Sequence, residues 1–215
     1  YKKILTFGIP LSVGIVALLP LNQIHDDFVT YLDESTEFRK DTDWISENLT
    51  GTNIIQFSIP AGESNGVSDP LFLKNVADFT DWSRSQKEVT NVLSITDVFK
   101  RLNRDLNLGN SDYYVIPDSR ELAAQYLLLY ELSLPFGLDL NNQLDINKSS
   151  TQVLVTLEDM STNELRAWTA KAEKYISDNM GINLTAVGPT VMFAYISERN
   201  IEGMLFGTII AVFII

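Results

Sequence analysis

Chemistry by side chains needs nucleophiles, bases or metal ligands at workable spacing. This chain of 215 residues holds few of them. It has one histidine, His25, and no cysteine. A hydrolytic triad sets an imidazole between an acid and a nucleophile, and no Gly-x-Ser-x-Gly elbow is present to supply the nucleophile. Zinc would have to be held by carboxylates around a single imidazole. Asp139-Leu140-Asn141-Asn142-Gln143-Leu144-Asp145 carries oxygen donors in the manner of a calcium loop. Leu144, however, stands where such a loop needs glycine, and Ser150 where it needs glutamate. No glycine-rich phosphate loop occurs. The expectation is a protein that is not an enzyme, with no catalytic, cofactor-binding or metal-binding residues.

The more informative segment is Ala123-Ala124-Gln125-Tyr126-Leu127-Leu128-Leu129-Tyr130-Glu131-Leu132, which is apolar on more than one face of a helix. A helix buried on two sides is the commoner explanation. The functional one is that one face packs on a sheet while the other lines a path for hydrophobic molecules. Tyr126, Leu129, Tyr130 and Phe136 are the candidate path residues.

The net charge of −12 and the isoelectric point near 4.4 are of the wrong sign for nucleic acid. Acidic residues crowd one stretch: Asp26, Asp27, Asp33, Glu34, Glu37, Asp41, Asp43 and Glu47. They read either as a cation-attracting vestibule or, more commonly, as a solvated helix face. The Asn-x-Ser/Thr triplets at Asn48, Asn147 and Asn183 are short enough to arise by chance.

The elements that position these residues begin and end in apolar runs. From Ile4 to Leu21 there is no charge, and Lys2 and Lys3 precede the run. That length is close to the roughly 20 residues of a membrane helix. Basic residues favour the cytoplasmic side, so the chain should leave the membrane outward after Leu21. A signal peptide is the rival, but the run is long and no Ala-x-Ala-like site follows. The segment 204–215 is again uncharged. It is too short to cross a bilayer of about 30 Å at 1.5 Å per residue, so further membrane helices are expected beyond Ile215. The lack of cysteine excludes disulfides and fits a bacterial envelope protein.

Between the ends the pattern alternates between strand and helix. Ser35 or Thr36 can cap a helix to about Leu49. Ile55, Phe57 and Ile59 alternate with polar residues in a strand over 53–59. Asp69-Pro70 starts a helix bearing Phe72, Leu73, Val76 and Phe79. A second strand is predicted over 89–95. An insert, residues 96–150, carries helices near 96–106 and 119–134. Gln152–Leu157 predicts a third strand, and Ser161-Thr162-Asn163-Glu164 is a capping box opening a helix stopped by Gly181. Ile182, Leu184 and Ala186 predict a fourth strand. From about Val191 a helix can run into the apolar end. The order β-α-β, insert, β-α-β predicts an α+β ferredoxin-like layer.

This order resembles the extracytoplasmic porter domain of the RND superfamily of exporters, in the branch that moves hydrophobes, amphiphiles and lipids. Local stretches are similar too: Phe28, Tyr31 and Phe38-Arg39-Lys40-Asp41 after the first apolar run, Leu49-Thr50-Gly51 before the first strand, Val92-Leu93-Ser94-Ile95-Thr96-Asp97-Val98 into the insert, and Ala186-Val187-Gly188-Pro189 before the last helix. Val187 stands where that family usually carries threonine. The resemblance implies the second of two such loops in a proton-driven exporter of the bacterial inner membrane, with residues 22–203 facing the periplasm or cell exterior. It implies a hydrophobic or lipid-like substrate, and as partners the other porter loop, the bilayer, and an oligomer or periplasmic protein. Proton-relay residues belong to membrane helices outside this chain. An extracytoplasmic ligand-sensing domain of a membrane receptor is the alternative, and an adaptor module with no ligand is a third possibility.

Overall fold

Strict alternation makes the segment after Gly51 a strand. The computed structural model describes residues 6–8, 10, 11, 14, 15, 18, 28–135 and 138–214. Within it, β1 is Asn53–Pro60, with Ile55, Phe57 and Ile59 fully buried and Ile54 and Ser58 exposed. β2 is the short Val89–Leu93, and β3 is Ser150–Leu157, whose Thr151, Val153, Val155 and Leu157 all point inward. The sheet order is β1-β3-β2, antiparallel throughout, with Phe57 opposite Val153 and Val92 opposite Val155. The last strand in sequence is therefore the central one.

Helices are numbered in chain order: α1 Glu37–Asn48, α2 Pro70–Arg84, α3 Ile95–Leu106, α4 Arg120–Ser133, α5 Thr162–Met180 and α6 Pro189–Ile214. α2 starts where Asp69 accepts the Phe72 amide at 2.9 Å and Pro70 presets the first turn. α5 starts on the expected capping box, with Ser161 and Glu164 satisfying each other's amides, and stops at Gly181 in the left-handed region, φ 67°. Val76 and Phe79 of α2 join Leu165, Trp168, Ala172 and Ile176 of α5 over the inward face of the sheet. Phe57 meets Phe79 edge-on at 5.2 Å between centroids, a favoured aromatic geometry. The other sheet face is left open, with Ile54 and Leu93 exposed.

The insert builds a second core of its own. Ile95 and Phe99 of α3, Ala123, Tyr126 and Leu127 of α4, and Leu140 and Leu144 of the return loop pack against Leu73 and Val67. α2 is thus apolar on two sides, one for each core. The Arg84 guanidinium bridges them, donating to both Asp97 carboxylate oxygens at 3.0 and 2.6 Å and to the Val92 carbonyl at 2.9 Å. That fork raises the Arg84 pKa above its ordinary value.

Two expectations are corrected. The second strand stops at Leu93, because the Ser94 hydroxyl turns to accept the Thr96 amide and caps α3. No fourth strand forms over 182–186. Ile182, Leu184 and Ala186 do lie against the first core, but the Ala186 amide donates to the Glu173 carboxylate at 2.8 Å. The pairing with β1 is confined to Val187, which exchanges both backbone bonds with Gln56 at 2.8 and 2.9 Å.

α6 docks through Val191, Ala194 and Ser197 and is exposed from Glu202 through Ile214. Among the described residues no helix is long and apolar enough to cross a membrane. Most of the expected first membrane segment, residues 1–21, lies outside the described residues.

Gly51 is held where a Cβ would overlap the Leu157 carbonyl. Gly51→Ala is expected to destabilise the fold by about 2 kcal/mol or more, read as a lower urea midpoint. Gly203→Ala, which meets nothing within 4 Å, is the control and should leave the midpoint unchanged or raise it.

Candidate functional site

α4 holds three of the four candidate path residues, and its own geometry separates them. It is capped by the Ser119 hydroxyl, which accepts the Leu122 amide at 3.2 Å. From there Ala123, Tyr126 and Leu127 fall on the inner face, with Tyr130 at its margin. Tyr126 is only 7% exposed. Its hydroxyl donates to Asn103 Oδ1 at 3.1 Å, and Asn103 Nδ2 donates on to the Val115 carbonyl at 3.1 Å. Tyr126 thereby ties α4 to α3 inside the second core.

Leu129 flanks that face, 45% exposed, with Leu128 at 55% and Leu132 at 76% further round the helix. These leucines form an apolar ridge on the outside of the insert. Tyr130 is half-buried between core and ridge. Phe136 lies outside the described residues. The spacing 123, 126, 127, 130 is the i, i+3, i+4, i+7 series of a core-facing stripe. It assigns Tyr126 inward and Leu128 and Leu132 outward, a sorting that a list of apolar residues misses.

The calcium-like segment has its oxygens committed elsewhere. Asp145 accepts the Ser149 hydroxyl at 2.8 Å and the amides of Ser149, Ser150 and Asn147 at 2.6, 2.7 and 3.3 Å. The Ser149 hydroxyl, followed by those amides, holds the carboxyl down to about 2. Lys148 reaches Glu131 at 2.8 Å and pins this turn to α4. Among the described residues no three His, Asp or Glu side chains come together as a metal-holding group.

His25, Asp26 and Asp27 lie outside the described residues. The rest of the acidic stretch is on or just before α1, a helix that buries none of its residues. Arg39 pairs with Asp43 at 2.6 Å and donates to the Val29 carbonyl at 3.1 Å. This arrangement is the solvated helix face.

The folded Asp145 carboxyl titrates below the roughly 3.9 of an unfolded chain. It therefore stabilises the 139–150 turn above that value, and the contribution is lost as pH falls through about 2. Amide protection at Ser149 and Ser150, corrected for intrinsic exchange, should drop between about pH 4 and pH 2. Asp145→Ala should show low protection at every pH. Tyr126→Phe should cost about 1 kcal/mol by removing a buried hydrogen bond, measured by chemical denaturation.

No protein-family model, no curated protein and no solved structure matches this chain.

Proposed function

We propose that the chain is the extracytoplasmic porter domain of a proton-driven RND-type exporter of lipids or other hydrophobic and amphiphilic compounds. The observation that carries this reading is α6. It leaves the first core as one unbroken helix, with Val191, Ala194 and Ser197 docked, and ends as Met204–Ile214, uncharged and exposed on every side. A helix end that is apolar all round and exposed is what a bilayer would surround.

The arrangement of the layer supports the same reading. β-α-β, insert, β-α is consistent with the order of two split βαβ units, and the isolated bridge between Val187 and Gln56 lies on the β1 edge, where such a layer would carry its fourth strand. In this reading residues 1–21 and 204–215 belong to membrane helices of a bacterial inner membrane. The domain faces the periplasm and works against the other porter loop of the same protein. The α4 ridge, Leu128, Leu129 and Leu132 with Tyr130 at its margin, is the surface offered to a hydrophobic substrate.

In the intact protein in its own membrane, Leu129→Trp and Tyr130→Ala should each lower export of a hydrophobic compound several-fold at equal membrane abundance. Unchanged export in both variants would remove the ridge from the path. The natural reading frame past Ile215 tests the larger claim. A cluster of apolar spans, with a second domain of this plan upstream, is the expected outcome. A single span followed by a cytoplasmic signalling region would overturn it in favour of a ligand-sensing domain.

A further inference from the structure

Helix α1 turns its polar side to the domain. A surface helix ordinarily packs its apolar stripe inward and leaves its polar side in water. In α1, Phe38, Ile45 and the capping Leu49 fall on one stripe, with Thr42 between them. All three apolar side chains are exposed. Trp44, on the neighbouring row with Glu37 and Asp41, is exposed as well. The half-buried positions are Arg39, Thr42, Asp43 and Ser46, which make the i, i+3, i+4, i+7 series of the side facing inward. Polar bonds hold that side. Arg39 pairs with Asp43 at 2.6 Å and donates to the Val29 carbonyl at 3.1 Å, tying α1 to the turn ahead of it. The apolar stripe is left over.

An exposed stripe at this spacing is one half of a helix pairing, and the charge around it selects the other half. Six carboxylates, Asp33, Glu34, Glu37, Asp41, Asp43 and Glu47, accompany two cations, Arg39 and Lys40. Glu34, Glu37, Asp41 and Glu47 have no ion pair among the described residues. A second copy of α1 would bring like charges together. An anionic lipid surface would do the same, and helices that lie in a membrane interface carry Lys and Arg on their polar side. Asp26 and Asp27, ahead of α1 in the chain, add charge of the same sign.

We propose that the stripe of Phe38, Ile45 and Leu49 seats a basic amphipathic helix of a partner protein. The apolar side of that helix covers the stripe, with Trp44 at the border. Its Lys and Arg side chains meet Glu37 and Asp41 along the flank, and charge of this sign steers it to α1. This surface does not rest on the transport reading and is tested separately from it.

The test uses the full chain in phosphatidylcholine nanodiscs, followed at the assigned methyl resonances of Ile45 and Leu49. The probe is a synthetic helical peptide with a leucine stripe flanked by lysines, at about 150 mM ionic strength. Empty nanodiscs give the reference for binding to lipid. The peptide should shift both resonances saturably, with a Kd below about 100 μM. The same peptide with glutamate for every lysine should bind at least about tenfold more weakly. Leu49→Ser, read at Ile45, should weaken the lysine peptide at least about fivefold. Glu37→Gln combined with Asp41→Asn should weaken it at least about threefold and flatten its salt dependence. Leu108→Ser alters an exposed leucine elsewhere and should leave binding unchanged. No saturable shift up to about 1 mM peptide would overturn the proposal. Equal binding of the two peptides, or an equal loss in Leu108→Ser, would overturn it too. Quenching of the Ile45 and Leu49 methyls by nitroxide-labelled lipid before peptide is added would give the stripe to the bilayer instead. Self-association of the chain that is lost in Leu49→Ser would give it to a second copy.

Discussion

The placement of β3 between β1 and β2 is the constraint on which the rest of the structure depends. Its two partners lie far upstream, and the chain between Leu93 and Ser150 must leave the sheet and return to a fixed register. Closing so long a loop is entropically unfavourable unless the loop orders itself. The insert does so through its second core. Its return loop also bonds to the 61–67 segment: the amides of Ala61, Asn65 and Val67 donate to the carbonyls of Ser149, Asn147 and Lys148 at 2.7, 2.8 and 3.1 Å. The insert is therefore part of how the central strand is delivered.

α2 makes the two cores mechanically one. Val76 and Phe79 serve the sheet, Leu73 serves the insert, and Arg84 at its end holds Asp97 and the Val92 carbonyl together. Asp97 is only 8% exposed. Removing one member of such a pair leaves the other buried without a partner, which costs far more than the pair contributes. Most polar groups in the interior have a structural task of this kind: Tyr126 with Asn103, Thr80 and Thr169 with their own helices, Asp145 with its turn. The apolar side chains left outside the two cores include the leucines on the outside of α4 and the apolar end of α6.

α6 joins the domain to that apolar end. Its first turns bury Val191, Ala194 and Ser197 against β1 and α5, and Arg166 of α5 pairs with Glu198 while lying 5.3 Å over the Tyr195 ring. From Glu202 onward the helix is exposed. A tilt of the exposed part would be carried into α5 and the sheet through this short docked segment. In the exporter reading, that is how movement in the membrane reaches the domain.

Local chemistry determined the elements. Alternation wrote β1 and β3, Asp69-Pro70 and Ser161-x-x-Glu164 wrote two helix starts, and Gly181 wrote a stop, because each signal acts within a few residues of itself. Sequence also determined the sparse inventory of catalytic groups and the apolar ends. What the tertiary structure alone decided is where alternatives compete. Residues 182–186 alternate as a strand should, yet the Glu173 carboxylate, from a different element, takes the Ala186 amide. Ser94 fits a strand and a helix cap equally, and the packing of α3 on α2 selects the cap. The spacing of 123, 126, 127 and 130 sets Tyr126 on one stripe and Leu129 off it, and the positions of α3 and the return loop decide that this stripe is the buried one. Which buried polar groups pair with which, Tyr126 with Asn103, Arg84 with Asp97, Glu173 with the Ala186 amide, follows from contacts between segments apart in the chain. Such contacts have no local signature in the chain.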